Sequence, residues 1–255
     1  MRVISLCPSN TEIMEFLGLS NLLVGVDDFS DWPVSMANLP RLGPDLSINM
    51  DLVEELKPDM VLASLSVPGM EKNVEALKER GIPHIVLNPQ SLSDIEEDLM
   101  KTAEALQQRE CGIEAAKRFR YRIEKVKERG LMTQDRPALY WEWWPKPIFT
   151  PGKINWLTEI SEIAGARNIF DDVELASVQT DWEDVLTRKP DFICLAWVGV
   201  RKSKVQKSVV TKRQGFEKLD FKSESQILIL EEELYCRPSP RLLDGLEKLY
   251  KIIHL

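Results

Sequence analysis

Apolar residues along this chain fall into two alternating kinds of run. The short, nearly continuous runs at 3–7, 22–26, 60–63 and 84–87 have the length and composition of strands buried on both faces. Between them, 9–19, 51–57 and 69–80 carry helical spacing. Such alternation predicts a parallel sheet covered by helices on both sides. The same grammar returns after residue 137, with strands expected at 138–144, 192–197 and 226–230 and helices at 154–164, 181–188, 203–218 and 240–253.

The stretch from Leu92 to Arg129 is different. It has no proline, its single glycine is Gly112, and its apolar residues step by three and four on one face. One continuous helix there would span on the order of 55 Å at 1.5 Å per residue. Two helices broken near Cys111-Gly112 would satisfy the same pattern, because glycine weakens a helix interior. The chain is therefore expected to be an α/β protein of two Rossmann-like lobes, 1–91 and 131–255. A long helix over 92–130 would join them, with a ligand cleft between.

Both halves also share a local motif. Asp51-Leu-Val-Glu-Glu-Leu-Lys-Pro-Asp59 leads into an apolar run, and so does Glu183-Asp-Val-Leu-Thr-Arg-Lys-Pro-Asp191. In each, an acid opens a short helix, where a carboxylate offsets the helix dipole, and proline ends it. Helix starting accounts for either acid alone. Two matched acids, Asp51 and Glu183, can also form a symmetric pair on one surface.

Charge and composition narrow the chemistry. A net charge of −8 argues against a nucleic-acid binder, whose affinity comes from neutralising phosphates. The four cysteines, Cys7, Cys111, Cys194 and Cys236, are scattered without a Cys-x-x-Cys pair, which fits neither a zinc site nor a disulfide scaffold. No phosphate-binding loop or nucleophile elbow occurs. The only histidines are His84 and His254, so neither a bare-metal site nor a histidine-based catalytic set is expected. A signal segment is not evident ahead of the first strand, and no apolar run approaches the ~20 residues that cross a bilayer. As written, the sequence reads as cytoplasmic, or as periplasmic or lipid-anchored if an export segment is missing.

Several stretches carry a family resemblance. They are the opening Arg2-Val-Ile-Ser-Leu-Cys-Pro-Ser-Asn-Thr-Glu12, then Val24-Gly-Val-Asp-Asp-Phe-Ser-Asp-Trp-Pro33, Phe149-Thr-Pro-Gly-Lys153, Ala164-Gly-Ala-Arg-Asn-Ile-Phe170 and Arg237-Pro-Ser-Pro-Arg241. In order and spacing the chain resembles the helix-linked substrate-binding proteins of cobalamin and iron–siderophore importers. The resemblance implies a monomer that binds a small molecule between lobes and docks on ABC permease subunits through one acid per lobe. Those acids fall on Asp51 and Glu183. It further implies that Phe29, Trp143, Phe149 and Arg237 line the cleft. Asp45 and Ser64 stand where cobalamin-binding members have aromatic residues.

Reading the cleft from the residues gives a compatible picture. In open α/β sheets, ligands sit beyond the carboxyl ends of the strands. That rule selects Pro8 and Ser9 after the first strand, Ser64 after the strand at 60–63 and Trp197 after the strand at 192–197; Trp32, in the same resembling segment as Phe29, is a further candidate. Trp143 and Trp144 lie in the aromatic stretch Tyr140-Trp-Glu-Trp-Trp144, where strand alternation sets Glu142 and Trp144 on one face and Trp141 and Trp143 on the other. A wall of indoles suits a flat, weakly polar ligand such as a corrinoid or a metal chelate. It also suits a quaternary ammonium, with Glu142 offsetting the cation. Arg237 suits a ligand phosphate or carboxylate.

No resident cofactor and no enzymatic activity are expected. A cleft enzyme using Glu142, Asp28 and Asp31 is the rival in class. A cytoplasmic sensor or carrier is the other, with the basic run Arg201–Lys222 either solvated or facing an acidic partner.

Overall fold

The computed structural model describes residues 1–133, 135–221 and 223–254, so Lys222 of the basic run lies outside the described residues. The chain divides into two compact units, Met1–Arg120 with Pro238–Pro240, and Tyr121–Arg237 with Arg241–Leu255.

The first unit runs β1 (Val3–Ser5), α1 (Pro8–Phe16), β2 (Leu23–Val26), α2 (Met50–Glu55), β3 (Met60–Ser64), α3 (Glu71–Glu79), β4 (His84–Leu87) and α4 (Leu92–Ala105). Its strands form one parallel sheet in the order β2-β1-β3-β4. Helix α5 (Arg109–Gly130) starts in this unit and ends in the second.

The second unit adds β5 (Ala138–Glu142), β6 (Trp144–Pro145), β7 (Ile148–Pro151), α6 (Trp156–Ile163), β8 (Arg167–Asn168), β9 (Ser177–Thr180), α7 (Trp182–Arg188), β10 (Phe192–Leu195), α8 (Ser208–Thr211), β11 (Ile227–Ile229), α9 (Glu232–Tyr235) and α10 (Leu242–His254). Its main sheet, β8-β5-β10-β11, is again parallel and has the same order of strands, second-first-third-fourth.

The internal motif is repeated down to its hydrogen bonds. The Asp59 amide donates to the Arg2 carbonyl at 2.8 Å while its carboxylate accepts from the Arg2 amide at 2.6 Å. The Asp191 amide donates to the Ala138 carbonyl at 2.7 Å, and its carboxylate accepts from the Ala138 amide at 2.7 Å. Each aspartate thus clasps the start of the sheet's first strand. Lys57 (φ 46°) and Lys189 (φ 49°) occupy the left-handed conformation at matched places, the turn that commonly ends a helix. The helices themselves are started by other residues. Asn49 accepts from the amides of Asp51 and Leu52, and Asp181 accepts from Asp184. Asp51 and Glu183 each lie two residues past those caps, and neither carboxylate makes the cap hydrogen bonds.

Four expectations need correction. The helix over 92–130 is two helices, and the break falls at Leu106–Gln108, where Gln107 has φ 58°. Gly112 is not the breaker but a packing position. A Cβ there would lie 2.7 Å from the Ala103 Cβ and 3.2 Å from the Met100 sulfur, so its bareness lets α5 lie close against α4. The helix expected over 203–218 is mostly turns, with only Ser208–Thr211 α-helical. The strand over 138–144 ends at Glu142. The chain breaks register at Trp143 and enters β6, part of an antiparallel ribbon β6-β7-β9.

Candidate ligand-binding site

In the first unit, the strand ends carry a buried polar network. Pro8 is the first residue of α1, where its missing N–H costs nothing. Ser9 is buried with its hydroxyl 3.2 Å from the Cys7 sulfur, and burial pushes the Cys7 thiol up to about 12. Thr11 donates to the Ser5 hydroxyl at 2.8 Å and lies 2.7 Å from the Ser30 hydroxyl, which in turn donates to Asp27. The other Asp27 oxygen accepts from the Phe29 amide at 2.8 Å, and Arg41 donates to the carbonyls of Asp27 and Ser30. This bonding fixes the 27–31 turn, and on that rigid turn Phe29 stands 51% exposed.

The turn, braced by these hydrogen bonds, holds the exposed phenyl in place as a candidate ligand contact. Trp32 follows half-buried. Ser64 is buried at the end of β3, its hydroxyl bonded with that of Ser66 at 2.9 Å.

The second unit builds its strand ends from indoles and charge. Trp141 is wholly core: it donates to Ser161 at 2.9 Å and stacks near Tyr235. Trp143, at the register break, has its amide bonded to the Phe149 carbonyl and its ring 5.7 Å from that of Trp156. Its indole N–H is buried and finds no acceptor among the described residues.

Trp144 and Phe149 are directly paired across the β6–β7 ladder. Opposed residues of an antiparallel pair project on the same side. Trp144 is 43% exposed and Phe149 half-buried, so the ribbon presents a two-ring aromatic surface.

Glu142 departs from its expected role. It is 0% exposed and cannot face a ligand cation. Arg213 grips it with two bonds of 2.6 and 2.9 Å, the Tyr140 hydroxyl donates at 2.7 Å and the Trp197 indole at 3.2 Å. Those four donors use both lone pairs of both oxygens. Burial and the neighbouring carboxylate push the Tyr140 phenol well above its ordinary value, which keeps it a donor. Burial alone would lower the Arg213 guanidinium, but the Glu142 carboxylate outweighs it and the net shift is upward. Glu142 is also ill placed for acid–base chemistry, since every lone pair is taken.

Trp197 is buried with its N–H committed to this network. Arg237 is paired with Glu232, both its Nε and an Nη lying 3.2 Å from one carboxylate oxygen.

The two candidate docking acids differ. Asp51 has a side chain 86% exposed and pairs with Arg80 at 2.7 Å, alongside Glu54. Glu183 is exposed on the first turn of α7, its carboxylate without an ion pair among the described residues.

Sequence reasoning missed Arg213, Glu232 and Trp182. Arg213 lies in a basic run that reads as solvated, and indeed Lys204 and Lys212 there are exposed. Nothing local distinguishes the one cation that turns inward. Among the described residues no group of three His, Cys, Asp or Glu is arranged to hold a metal ion, and no helix is long and apolar enough to cross a membrane.

These features have relatives. Residues 3–234 match the family described as periplasmic binding protein. An uncharacterized ABC transporter substrate-binding lipoprotein of Bacillus subtilis is 28% identical over 99% of this chain and 80% of its own length. A vitamin B12-binding protein of Yersinia pestis is 29% identical over 97% of this chain and 84% of its own. The crystal structure of the periplasmic vitamin B12 binding protein of Vibrio cholerae superposes with a TM-score of 0.79 at 26% identity, covering 99% of this chain and 96% of that one. These relatives are named as binding proteins, and a lipoprotein and a periplasmic protein among them lend no support to a cytoplasmic setting. The chain belongs to the periplasmic binding protein family, as a substrate-binding protein of the ABC-transporter kind.

Proposed function

We propose that this protein binds a corrinoid and hands it unchanged to an ABC permease outside the membrane. The observation that carries this reading is the aromatic surface of the second unit. Trp144 and Phe149 stand side by side with the unpaired N–H of Trp143 nearby in the chain, and no side chain there is arranged to ligate a metal. Flat apolar rings bind a macrocycle by area, and a buried donor without an acceptor favours a ligand bearing peripheral carbonyls.

Haem competes with it, but the histidines and the strand-end tyrosines that could hold its iron are already engaged. His84 opens β4, at the opposite end of its sheet, and its ring is bonded to the Ile82 carbonyl. His254 is bonded to the Ala164 carbonyl on α10. Tyr140 and Tyr235 are buried and already donating, and burial keeps the Cys236 thiol protonated. A quaternary ammonium is disfavoured because the acid beside the indoles is neutralised by Arg213.

Asp51 and Glu183 are the acids we assign to permease docking. Both are exposed and sit at matched places in the two units. Delivery of this kind needs neither turnover nor a resident cofactor, and a monomer suffices.

Titration of the full chain with cyanocobalamin, read by quenching of tryptophan emission, tests the ligand. Saturable one-to-one binding supports the reading. Binding of haemin or a ferric hydroxamate in preference to cyanocobalamin overturns it. Fractionation of the native host, with the protein recovered in the cytosol, would overturn delivery.

A further inference from the structure

We infer that Glu142 and Arg213 form a positioning pair that holds the 213–215 stretch between two surfaces of the second unit, the docking helix α7 and the indole of Trp197. This rests on the reading above for the roles of those two surfaces, though the contacts themselves are independent of it. Arg213 lies in turns between α8 and the short Phe216–Lys218 helix, and three consecutive residues there grip α7.

The Arg213 guanidinium stacks on the Trp182 ring at 4.9 Å, and the Gln214 carbonyl accepts from the Trp182 indole at 3.1 Å. Gly215 (φ 85°) packs so close to Leu186 that a Cβ would lie 2.8 Å from its Cδ1. On its other side Arg213 forks onto Glu142, and Glu142 accepts from Trp197. One unbroken set of contacts therefore runs from Trp182, the neighbour of Glu183, to Trp197 at the end of β10.

The stretch also borders a surface depression of about 520 Å³ shared by Glu183, Glu217 and Lys218. A partner engaging Glu183 would press directly on residues 213–215.

Among the described residues no other charge from this segment reaches the sheet in the same way. Lys202 pairs with Glu231 and Lys207 donates to the Glu224 carbonyl, while Val205, Val210 and Leu219 anchor the flanks in the core. The flanks can stay packed while the turn between them moves. Freed from Glu142, Arg213 would leave the Trp182 face for water, and Trp197 would lose the setting of its acceptor. Coupling of this kind is reciprocal: whatever ligand binding does to docking through this turn, docking does equally to ligand binding.

Two measurements on the full chain test this. In Arg213→Gln, amide exchange over residues 212–218 should rise roughly tenfold while β10 and β11 keep their protection, a local opening rather than a global one. Cyanocobalamin should leave this variant roughly twofold to thirtyfold faster, the span over which network mutations modulate coupling. Arg213→Lys, which keeps the charge but not the fork, should recover part of both effects. The double variant Glu142→Gln with Arg213→Gln leaves no unpaired charge and should fold, yet show the same loosening. Unchanged exchange at 212–218, exchange raised evenly through the unit, or unchanged release despite a loosened turn would each overturn the inference. If the wild-type chain takes up no corrinoid, the ligand reading fails by itself. The exchange contrast between Arg213→Gln and Arg213→Lys then decides the role of the pair.

Discussion

The two units lay down the same four-stranded order and the same aspartate clasp, then finish their first strands differently. Counting four residues from the clasped position gives Leu6 in one and Glu142 in the other. Both are buried, at 2% and 0% exposure. Leucine needs nothing further. The carboxylate obliges the second unit to gather an arginine, a phenol and an indole around it. A fold position thus fixes burial, and the residue type decides whether burial is a packing matter or a network with partners to supply.

The strongest way to break that comparison is to remove one partner. Glu142→Ala should destabilise the second unit by about 3–5 kcal/mol, because it leaves Arg213 buried and unpaired. Making the second unit resemble the first, with Glu142→Leu and Arg213→Met together, should cost less, because no unpaired charge remains and only the Tyr140 and Trp197 donors lose their acceptor. Chemical denaturation of the two variants checks both. Equal losses would mean that the pair acts chiefly through its bonds to Tyr140 and Trp197.

The first unit has its own buried acid, without such provision. Asp98 is 7% exposed in α4, and one of its oxygens finds no partner among the described residues. Burial raises it to about 7, with Lys101 opposing and Asp94 and Glu97 adding to the rise. A carboxyl whose folded value is raised holds its proton better in the folded state. Its contribution is therefore fully favourable below the ordinary range near 3.8, falls as pH rises, and is lost above about 7. Across that window the loss is on the order of 4 kcal/mol. Asp98→Asn should flatten the dependence and be the more stable form at pH 8, as thermal melts at pH 5 and pH 8 would reveal. A wild-type chain whose stability does not fall between those values would sink this account.

How much of this the sequence disclosed follows from the range of each interaction. Strands such as 60–63 and 84–87 were legible because burial on both faces writes itself into consecutive residues. The matched Lys-Pro-Asp turns were legible because they repeat. The ribbon β6-β7-β9 was not, since its strands are two to four residues long and Trp144 reads as a continuation of β5. The helix break at Gln107 was misplaced onto Gly112, because a bare residue signals flexibility in sequence and close packing in structure. Glu142 was placed in the right strand and given the wrong task. Its partner Arg213 lies 71 residues away in a run of similar cations, and nothing nearby selects it.

Ligand contacts sharpen the contrast between an aromatic second unit and a polar first one. Trp143→Ala and Arg237→Ala should each weaken cyanocobalamin binding by at least ~1 kcal/mol if they are anchors. For Arg237 the paired loss of Glu232's counter-charge adds a stability effect that a melt would separate. Phe29→Ala, on the first unit's rigid turn, should cost less than Trp143→Ala, because it removes a smaller ring and no hydrogen-bond donor. Calorimetric titration ranks the three, and a ranking reversed in favour of Phe29 would move the main contact surface to the first unit.

The smallest stability effects belong to the docking acids, and that is what makes them informative. Helix starting at both places is done by Asn49 and Asp181, whose replacement by alanine should cost about 1 kcal/mol each. Asp51→Ala and Glu183→Ala, by contrast, should shift stability by no more than about 0.5 kcal/mol, as exposed surface changes do. The first also leaves Arg80 its second carboxylate, Glu54. If both acids serve a permease, uptake of ligand by the native host should fall in either variant while binding by the purified protein stays unchanged. Loss of uptake in Glu183→Ala alone would mean that the matched geometry of the two units is inherited structure, with only the second still used for docking.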